Sequence, residues 1–303
     1  MAFTAKDVQA LREKTGCGMM DCKKALVESD GNMDAAVDYL REKGLASQAK
    51  KASRVAAEGA VVVCIDGNAG VVIEVNSETD FVAGNDEFKN FVEQVAKIAV
   101  KENPADVDAL LTCKDANGTT VDELKQEIFL KFRENIQIRR FVREEGTLVS
   151  YIHGAGKIGV MVKFDTTNAD SDIFKEVSKD IAMQIAAANP LYLDKDSVPA
   201  EVVEKEKSIL VSQMKEDPKM ANKPEAVLGK IVEGKIGKYY SEVCLMDQAF
   251  VKDGDFTVAK YLAAKAKEMG GEINVVSFVR YEKGEGIQKR EDNFADEVAS
   301  MIK

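Results

Sequence analysis

The sequence predicts an α+β protein in which a small helical piece precedes a duplicated strand–helix unit. Three observations carry this. Apolar residues recur at helical spacing in residues 4–44. Two later segments share one order of strand, glycine turn, strand, loop, helix and Asn-Pro. A pair of Lys- and Glu-rich stretches with apolar residues seven apart follows the second segment.

The first helix takes Thr4 as its N-cap, carries Val8 and Leu11, and stops near Gly16. The second, near Met19–Glu28, places Met20, Cys22, Ala25 and Leu26 on it and ends at Ser29-Asp30-Gly31. Asn32 caps a third, with Ala36, Val37 and Leu40 on one face and Gly44 as its stop. Met19 and Met20 lie about 100° apart on a helix, so a small core cannot take both squarely. Either one is exposed, as suits adaptable binding, or both are partly buried packing residues. Residues 45–57 read as a linker whose Lys50, Lys51 and Arg54 are solvated.

The repeat spans Glu58-Gly59 to Asn103-Pro104 and again Glu145-Gly146 to Asn189-Pro190, with Ile65-Asp66-Gly67 recurring as Ile152-His153-Gly154. Between the copies, Asp122–Phe132 is an amphipathic helix, and Asn135–Arg139 alternates as a half-buried strand does. After the second copy, Ser197 and Pro199 open a helix that Asp217-Pro218 closes. It carries Val202 with Ile209, Val203 with Leu210, and Met214. A returning helix from Pro224 carries Val227, Leu228, Ile231, Ile236, Tyr239 and Tyr240, which together make a two-helix antiparallel arm. Glu242–Leu245 and Ile273–Tyr281 read as strands around a helix at Val258–Met269. A last helix is expected over Phe294–Ile302.

The stretch from Ser77 to Asp86 is the functional candidate. It joins the apolar strand Gly70–Val75 to the helix carrying Phe88, Phe91, Val92, Val95 and Ile98, and it should be a short polar loop. Instead Phe81 and Val82 stand in its middle. Such a pair either tucks under its own domain or enters a partner's pocket, and most loop aromatics do the former. The second copy has Asp165-Thr166-Thr167-Asn168-Ala169-Asp170 at this place, without an aromatic. The unit therefore folds without the pair, which favours an outward wedge.

The formal charge of −10 argues against nucleic-acid backbone binding. Five scattered cysteines fit free thiols in a reducing compartment, and Cys17 and Cys22 read as small apolar residues. No apolar signal core or run of ~20 apolar residues appears, so a soluble cytoplasmic protein is expected, without membrane association. Gly154–Gly159 matches G-x-G-x-x-G, but a strand follows it where a dinucleotide needs a helix N-terminus, so it reads as a hairpin turn. His153, the one histidine, then sits at a hairpin end as a satisfied group or a surface contact. No nucleophile motif, metal-ligand spacing or phosphate loop stands out, so a binding protein with no cofactor, metal or catalytic residue is expected rather than an enzyme.

Several stretches together resemble bacterial elongation factor Ts over nearly the whole chain. They are Leu11–Leu26, Glu78–Ala83, Glu134–Arg140, Tyr151–Gly154 and Lys223–Val251. The resemblance implies a guanine-nucleotide exchange factor for the translational GTPase elongation factor Tu, met in its GDP-bound and nucleotide-free forms. It implies a ubiquitin-associated-like three-helix domain and linker at 1–54, and a core of two subdomains with antiparallel sheets at 55–140 and 141–284. A coiled-coil hairpin would be inserted at about 197–240, with a C-terminal helical module at 285–303. Thr79, Asp80, Phe81 and Val82 match the loop that intrudes on the magnesium and phosphate site. Arg12, Met19, Met20 and Lys23 match the N-terminal contact region, and Phe132, His153 and Val251 match core contacts. Gly84 departs from the usual Lys or Arg, which would weaken a charge contact. Ala249 departs from the usual Gln-Pro-Phe, which would loosen the loop before Val251. The alternative is a passive scaffold or chaperone of the same GTPase.

Overall fold

The structure is a computed structural model that describes residues 3–216 and 225–288. The helix expected at Phe294–Ile302, and the stop and start expected at Asp217-Pro218 and Pro224, lie outside the described residues.

Three helices open the chain: α1 (Ala5–Thr15), α2 (Met19–Glu28) and α3 (Met33–Lys51). Thr4 and Asp7 cap α1 reciprocally, Gly16 ends it in the left-handed region at φ 68°, and Asn32 caps α3. Leu11, Cys17, Cys22, Ala25, Leu26, Ala36 and Leu40 form their small core. The third helix does not stop at Gly44. A β-carbon there would meet Leu130 Cδ2 at 2.5 Å, so this glycine lets a neighbouring helix approach rather than ending its own. The expected linker is corrected in part: α3 runs through Lys51, which donates to the Arg133 carbonyl, while Lys50 and Arg54 are exposed as expected, Arg54 pairing with Glu78 at 3.3 Å.

The first copy of the repeat contains β1 (Glu58–Asp66), β2 (Ala69–Ser77), α4 (Asp80–Gly84) and α5 (Asp86–Glu102). Then come α6 (Val107–Thr112), α7 (Val121–Phe132) and β3 (Gln137–Glu145). The second copy contains β4 (Thr147–His153), β5 (Ile158–Thr166) and α8 (Asp172–Ala188). After it come α9 (Ala200–Glu216), α10 (Glu225–Val243), β6 (Ala249–Phe250), β7 (Asp253–Thr257), α11 (Val258–Met269) and β8 (Ile273–Glu282). The expected strand at Glu242–Leu245 is instead the end of α10 and a 3-10 turn at Leu245–Asp247. Three apolar residues in a row, Val243–Leu245, fit a buried helix end as well as a strand. The strand expected from Asn135 begins at Gln137.

Antiparallel sheets ordered β1-β2-β3 and β4-β5-β8 are the two halves of the duplication. The copies match in detail. Both central strands carry a register irregularity, at Glu74/Val75 and at Lys163/Phe164. Both main helices end on a left-handed Asn, Asn103 at φ 48° and Asn189 at φ 46°. Strand alternation gives each sheet one face for helices and one for the other sheet. Val71, Ile73 and Val75 pack with α5 residues, Val160, Val162 and Phe164 pack with α8 residues, and Val61, Val72 and Met161 meet between the sheets. Gly70 and Gly159 hold equivalent places and face across this gap: a β-carbon would meet Met161 Sδ at 2.8 Å from one and Val61 Cγ1 at 2.5 Å from the other.

Glu74 is fully buried at the end of this inter-sheet layer. Its carboxylate accepts from Arg139 at 3.0 Å, Arg140 at 2.6 Å and the Gly284 N–H at 2.8 Å, so it fastens the segment after β8 to the first sheet. Burial pushes its pKa up, but the bonds from Gly284, Arg140, Arg139 and Asn76 outweigh that and hold it below its ordinary value of 4.5. Helices α9 and α10 pack on each other through Val203, Leu210, Met214, Leu228, Val232 and Ile236. The Val243 carbonyl, which accepts from Leu191 and Tyr192 at 2.8 and 3.0 Å, roots the pair. Among the described residues, no helix is long and apolar enough to cross a membrane.

Two outcomes are expected. Gly59 and Gly146 occupy the same place in the repeat at φ 126° and 139°, but a β-carbon on Gly59 falls on the Val75 carbonyl and one on Gly146 meets only the Lys163 side chain at 3.1 Å. Thermal unfolding should therefore show G59A losing about 3–4 kcal/mol, and G146A only the backbone strain of about 1–3 kcal/mol. Glu74 has a depressed folded pKa, so its contribution is full above the unfolded carboxylate range and lost as pH falls through the folded value. E74Q should cost on the order of 2–3 kcal/mol at neutral pH, and its melting temperature should fall less steeply on acidification than that of the parent chain.

Candidate functional site

The predicted loop after β2 contains a single turn of helix, α4. Thr79 caps it by accepting from the Val82 N–H at 3.4 Å, and Asn85 ends it while capping α5 through the Glu87 N–H at 2.8 Å. This turn resolves the Phe81–Val82 pair. Adjacent residues on a helix diverge by about 100°, so one can face in and the other out. Val82 is 6% exposed in the core of the first sheet, and Phe81 is 87% exposed. Of the two expected wedge residues, only Phe81 stands clear of its own domain. Asp80 beside it is exposed at the first position of α4, and Gly84 is exposed at its last.

What holds this turn is the segment after α7, whose link to it no local pattern in the sequence announces. Arg133 leaves α7 in the left-handed region at φ 57° and turns the chain back towards β2. The Glu134 carboxylate then accepts from the Glu78 N–H at 3.1 Å, the Thr79 N–H at 3.0 Å and the Thr79 hydroxyl at 2.6 Å. In return the Glu78 carboxylate accepts from the Asn135 N–H at 2.7 Å. Each acid caps the other segment's backbone, and charge-assisted bonds of this kind are the strong ones. The Asn135 amide donates to the Arg54 carbonyl at 2.8 Å, which brings the end of the α3 extension to the same point.

The same few residues reach the N-terminal helices. Arg133 pairs with Asp21 on α2 at 2.8 Å, and Lys131 pairs with Glu87 on α5 at 2.6 Å while its stem passes over Gly16. Met19 and Met20 lie immediately before Asp21, and both are exposed, at 53% and 75%. Arg12 and Lys23 are exposed on α1 and α2. Phe132 is half-buried and lines a shallow cavity of about 310 Å³ together with Glu13, Lys14, Gly16, Asn85 and Glu87. The Met19–Met20 face and the Phe81 turn are thus both linked to the segment around Arg133.

His153 and Val251 belong to the second sheet's half. His153 is exposed at the end of β4, with Nδ1 3.1 Å from the Tyr151 hydroxyl. Gly154 and Gly156 turn the chain directly into β5, so no helix N-terminus stands there for a dinucleotide. Val251 is exposed, and its N–H donates to the buried Gln184 at 2.8 Å. Gln184 also donates to the Ala249 carbonyl at 3.1 Å. Around Ala249 this loop is fastened through backbone groups, the Ala249 carbonyl and the Val251 N–H, both held by Gln184. Lys252 pairs at 2.6 Å with the buried Asp180, which also accepts from Tyr261 at 3.0 Å. Burial and that bond push the Tyr261 phenol up.

Glu78, Arg133, Glu134 and Gln184 are the residues that sequence reasoning missed as functional supports. Glu134-Asn135 lies within a quoted stretch, but its partner is 56 residues away and no local pattern joins the two. Among the described residues, no group of three or more His, Cys, Asp or Glu is placed to hold a metal ion.

The elongation factor Ts family model matches residues 78–285, which begin at the Glu78 of the clamp. The chain is 51% identical over 304 residues to elongation factor Ts of Clostridium perfringens strain ATCC 13124, covering 99% of each. It is 49% identical to that of Syntrophotalea carbinolica over 308 residues, covering 100% of each. It is 48% identical to that of Clostridium botulinum strain Eklund 17B over 305 residues, again covering 99% of each. With a family model over most of its length and relatives of this likeness from end to end, the chain belongs to the elongation factor Ts family.

Proposed function

We propose that the chain is a guanine-nucleotide exchange factor for elongation factor Tu. It binds the GDP-loaded GTPase and promotes GDP release by physical displacement, with no covalent step. The observation that carries this is Phe81: an aromatic ring 87% exposed on a clamped helical turn, beside the carboxylate of Asp80. Residues 1–54 serve as a ubiquitin-associated-like contact domain, through Arg12, Met19, Met20 and Lys23. Residues 55–140 and 141–284 are the two core subdomains, and the α9–α10 pair is their coiled-coil insertion. Phe132, His153 and Val251 contact the GTPase from the core. Val82 supports the exchange turn from beneath, while Thr79 caps it.

The mechanism rests on reciprocity. A factor that weakens GDP binding must itself be bound more weakly by the same ratio when GDP is present. Burying Phe81 in an apolar cleft supplies about 1.5–3 kcal/mol. Displacing a G-domain element by that energy disturbs magnesium, whose octahedral geometry tolerates little misfit. Asp80 brings negative charge towards an anionic phosphate site. The clamp matters because a ring held in place loses little conformational freedom on docking.

Phe81→Ala should slow GDP release in stopped flow by about 10- to 150-fold, the equivalent of that burial. Its unfolding free energy should stay within about ±0.5 kcal/mol of the parent chain's, as for a neutral surface change. A passive scaffold of the same GTPase would instead bind equally at zero and saturating GDP. Glu134→Ala removes the support but keeps the ring. It should slow release about tenfold, and combining it with Phe81→Ala should add less than its own effect, because both act through one turn. Full additivity would separate the clamp from the wedge.

A further inference from the structure

We propose that Met19 and Met20 form an oxidation site through which peroxide weakens docking of the GTPase. The proposal rests on the contact role given above to the N-terminal helices. Its own basis is accessibility and sulfur chemistry. Met19 and Met20 are 53% and 75% exposed at the start of α2. Met33, Met161, Met183, Met214, Met246 and Met269 are buried or half-buried, so the two are the exposed methionines among the described residues.

Competing sulfur nearby is protected. Cys17 and Cys22 are buried beneath the same helix, and burial pushes the Cys22 thiol up, away from the reactive thiolate. Burial also raises Cys64 and Cys113, and takes Cys244 to about 11. A thioether needs no ionisation to react. Its sulfur lone pair attacks one oxygen of hydrogen peroxide, the O–O bond breaks, and a proton shift releases water. The sulfur is oxidised by two electrons to the sulfoxide and the peroxide is reduced.

The consequence follows from where the two side chains sit. A flexible apolar side chain becomes a polar one with a strong acceptor oxygen. At an exposed position this costs the folded chain little, because water solvates the new group. In a docked interface the oxygen must find a donor or lose its hydration. Asp21, the next residue, pairs with Arg133 at 2.8 Å, so swinging α2 to move the modified pair away would also give up this link to the segment that holds the Phe81 turn. The fold survives oxidation and the contact does not.

The test treats the full chain with hydrogen peroxide, destroys the excess with catalase, and adds untreated GTPase loaded with labelled GDP. Peptide mapping should find an added oxygen on Met19 and Met20 before Met161 or Met214. The second-order rate constant for GDP release should fall on the order of tenfold. The two methionine sulfoxide reductases, one for each epimer, should restore it. In the double variant M19L/M20L, the ratio of treated to untreated rate should stay near unity. The proposal is overturned if the pair oxidises no faster than Met161, if both sulfoxides form without a change in rate, or if the leucine variant loses rate equally. M19A/M20A separates this from the underlying contact role. If that variant exchanges at the parent rate, the contact role fails and the proposal with it. If it is slow while the sulfoxide form is fast, only the oxidation site is lost.

Discussion

The reciprocal capping of Glu78 and Glu134 is the constraint on which the rest depends. Two acids placed close together should repel, yet here each carboxylate accepts from backbone N–H groups of the other's segment. Those donors, with Thr79 and Arg54, compensate the charge at short range. The outcome is a fixed exit angle from β2 into α4, and that angle decides that Phe81 faces solvent. Because Arg133 and Lys131 reach α2 and α5 from the same short segment, one piece of chain sets the placement of two exposed apolar surfaces.

The duplication explains why such a device could be added without damage. Each copy supplies two paired strands, a main helix and a left-handed Asn at its end, and each sheet takes its third strand, β3 or β8, from the chain that follows. The copies are joined back to back by alternate strand residues, with Gly70 and Gly159 as matched points of close approach. Glu74 anchors the far end of that layer. Once stability resides in the sheets and their helices, the connections are free to diverge. In the first copy the connection became α4 with Phe81; after the second, the chain gives rise to α9 and α10.

Much of this was legible in the residues, and each failure has a local cause. Gly44 carries the ordinary sign of a helix end, but the sign is ambiguous: a glycine can mark a stop or a close neighbour, and Leu130 makes it the latter. Glu242–Leu245 was too short for its period to separate helix from strand. Ser77–Asp86 looked like a loop because one helical turn is shorter than any periodicity can register. The turn at Gly154–Gly159 was legible because it depends on immediate neighbours, whereas Met19 and Met20 were expected to be exposed singly or partly buried together and are both exposed, because the small core closes beneath α2 without either of them.

The sequence by itself determined most of the elements, the repeat, the family and the choice of Phe81 as a candidate, since these are written in spacing and in order along the chain. Tertiary structure alone decided that Phe81 faces out while Val82 faces in, and that the distant Glu134 joins Thr79 in holding them there. Side-chain period is a local property, whereas a hydrogen bond across 56 residues exists only after the intervening helices and the left-handed turn at Arg133 have brought its ends together.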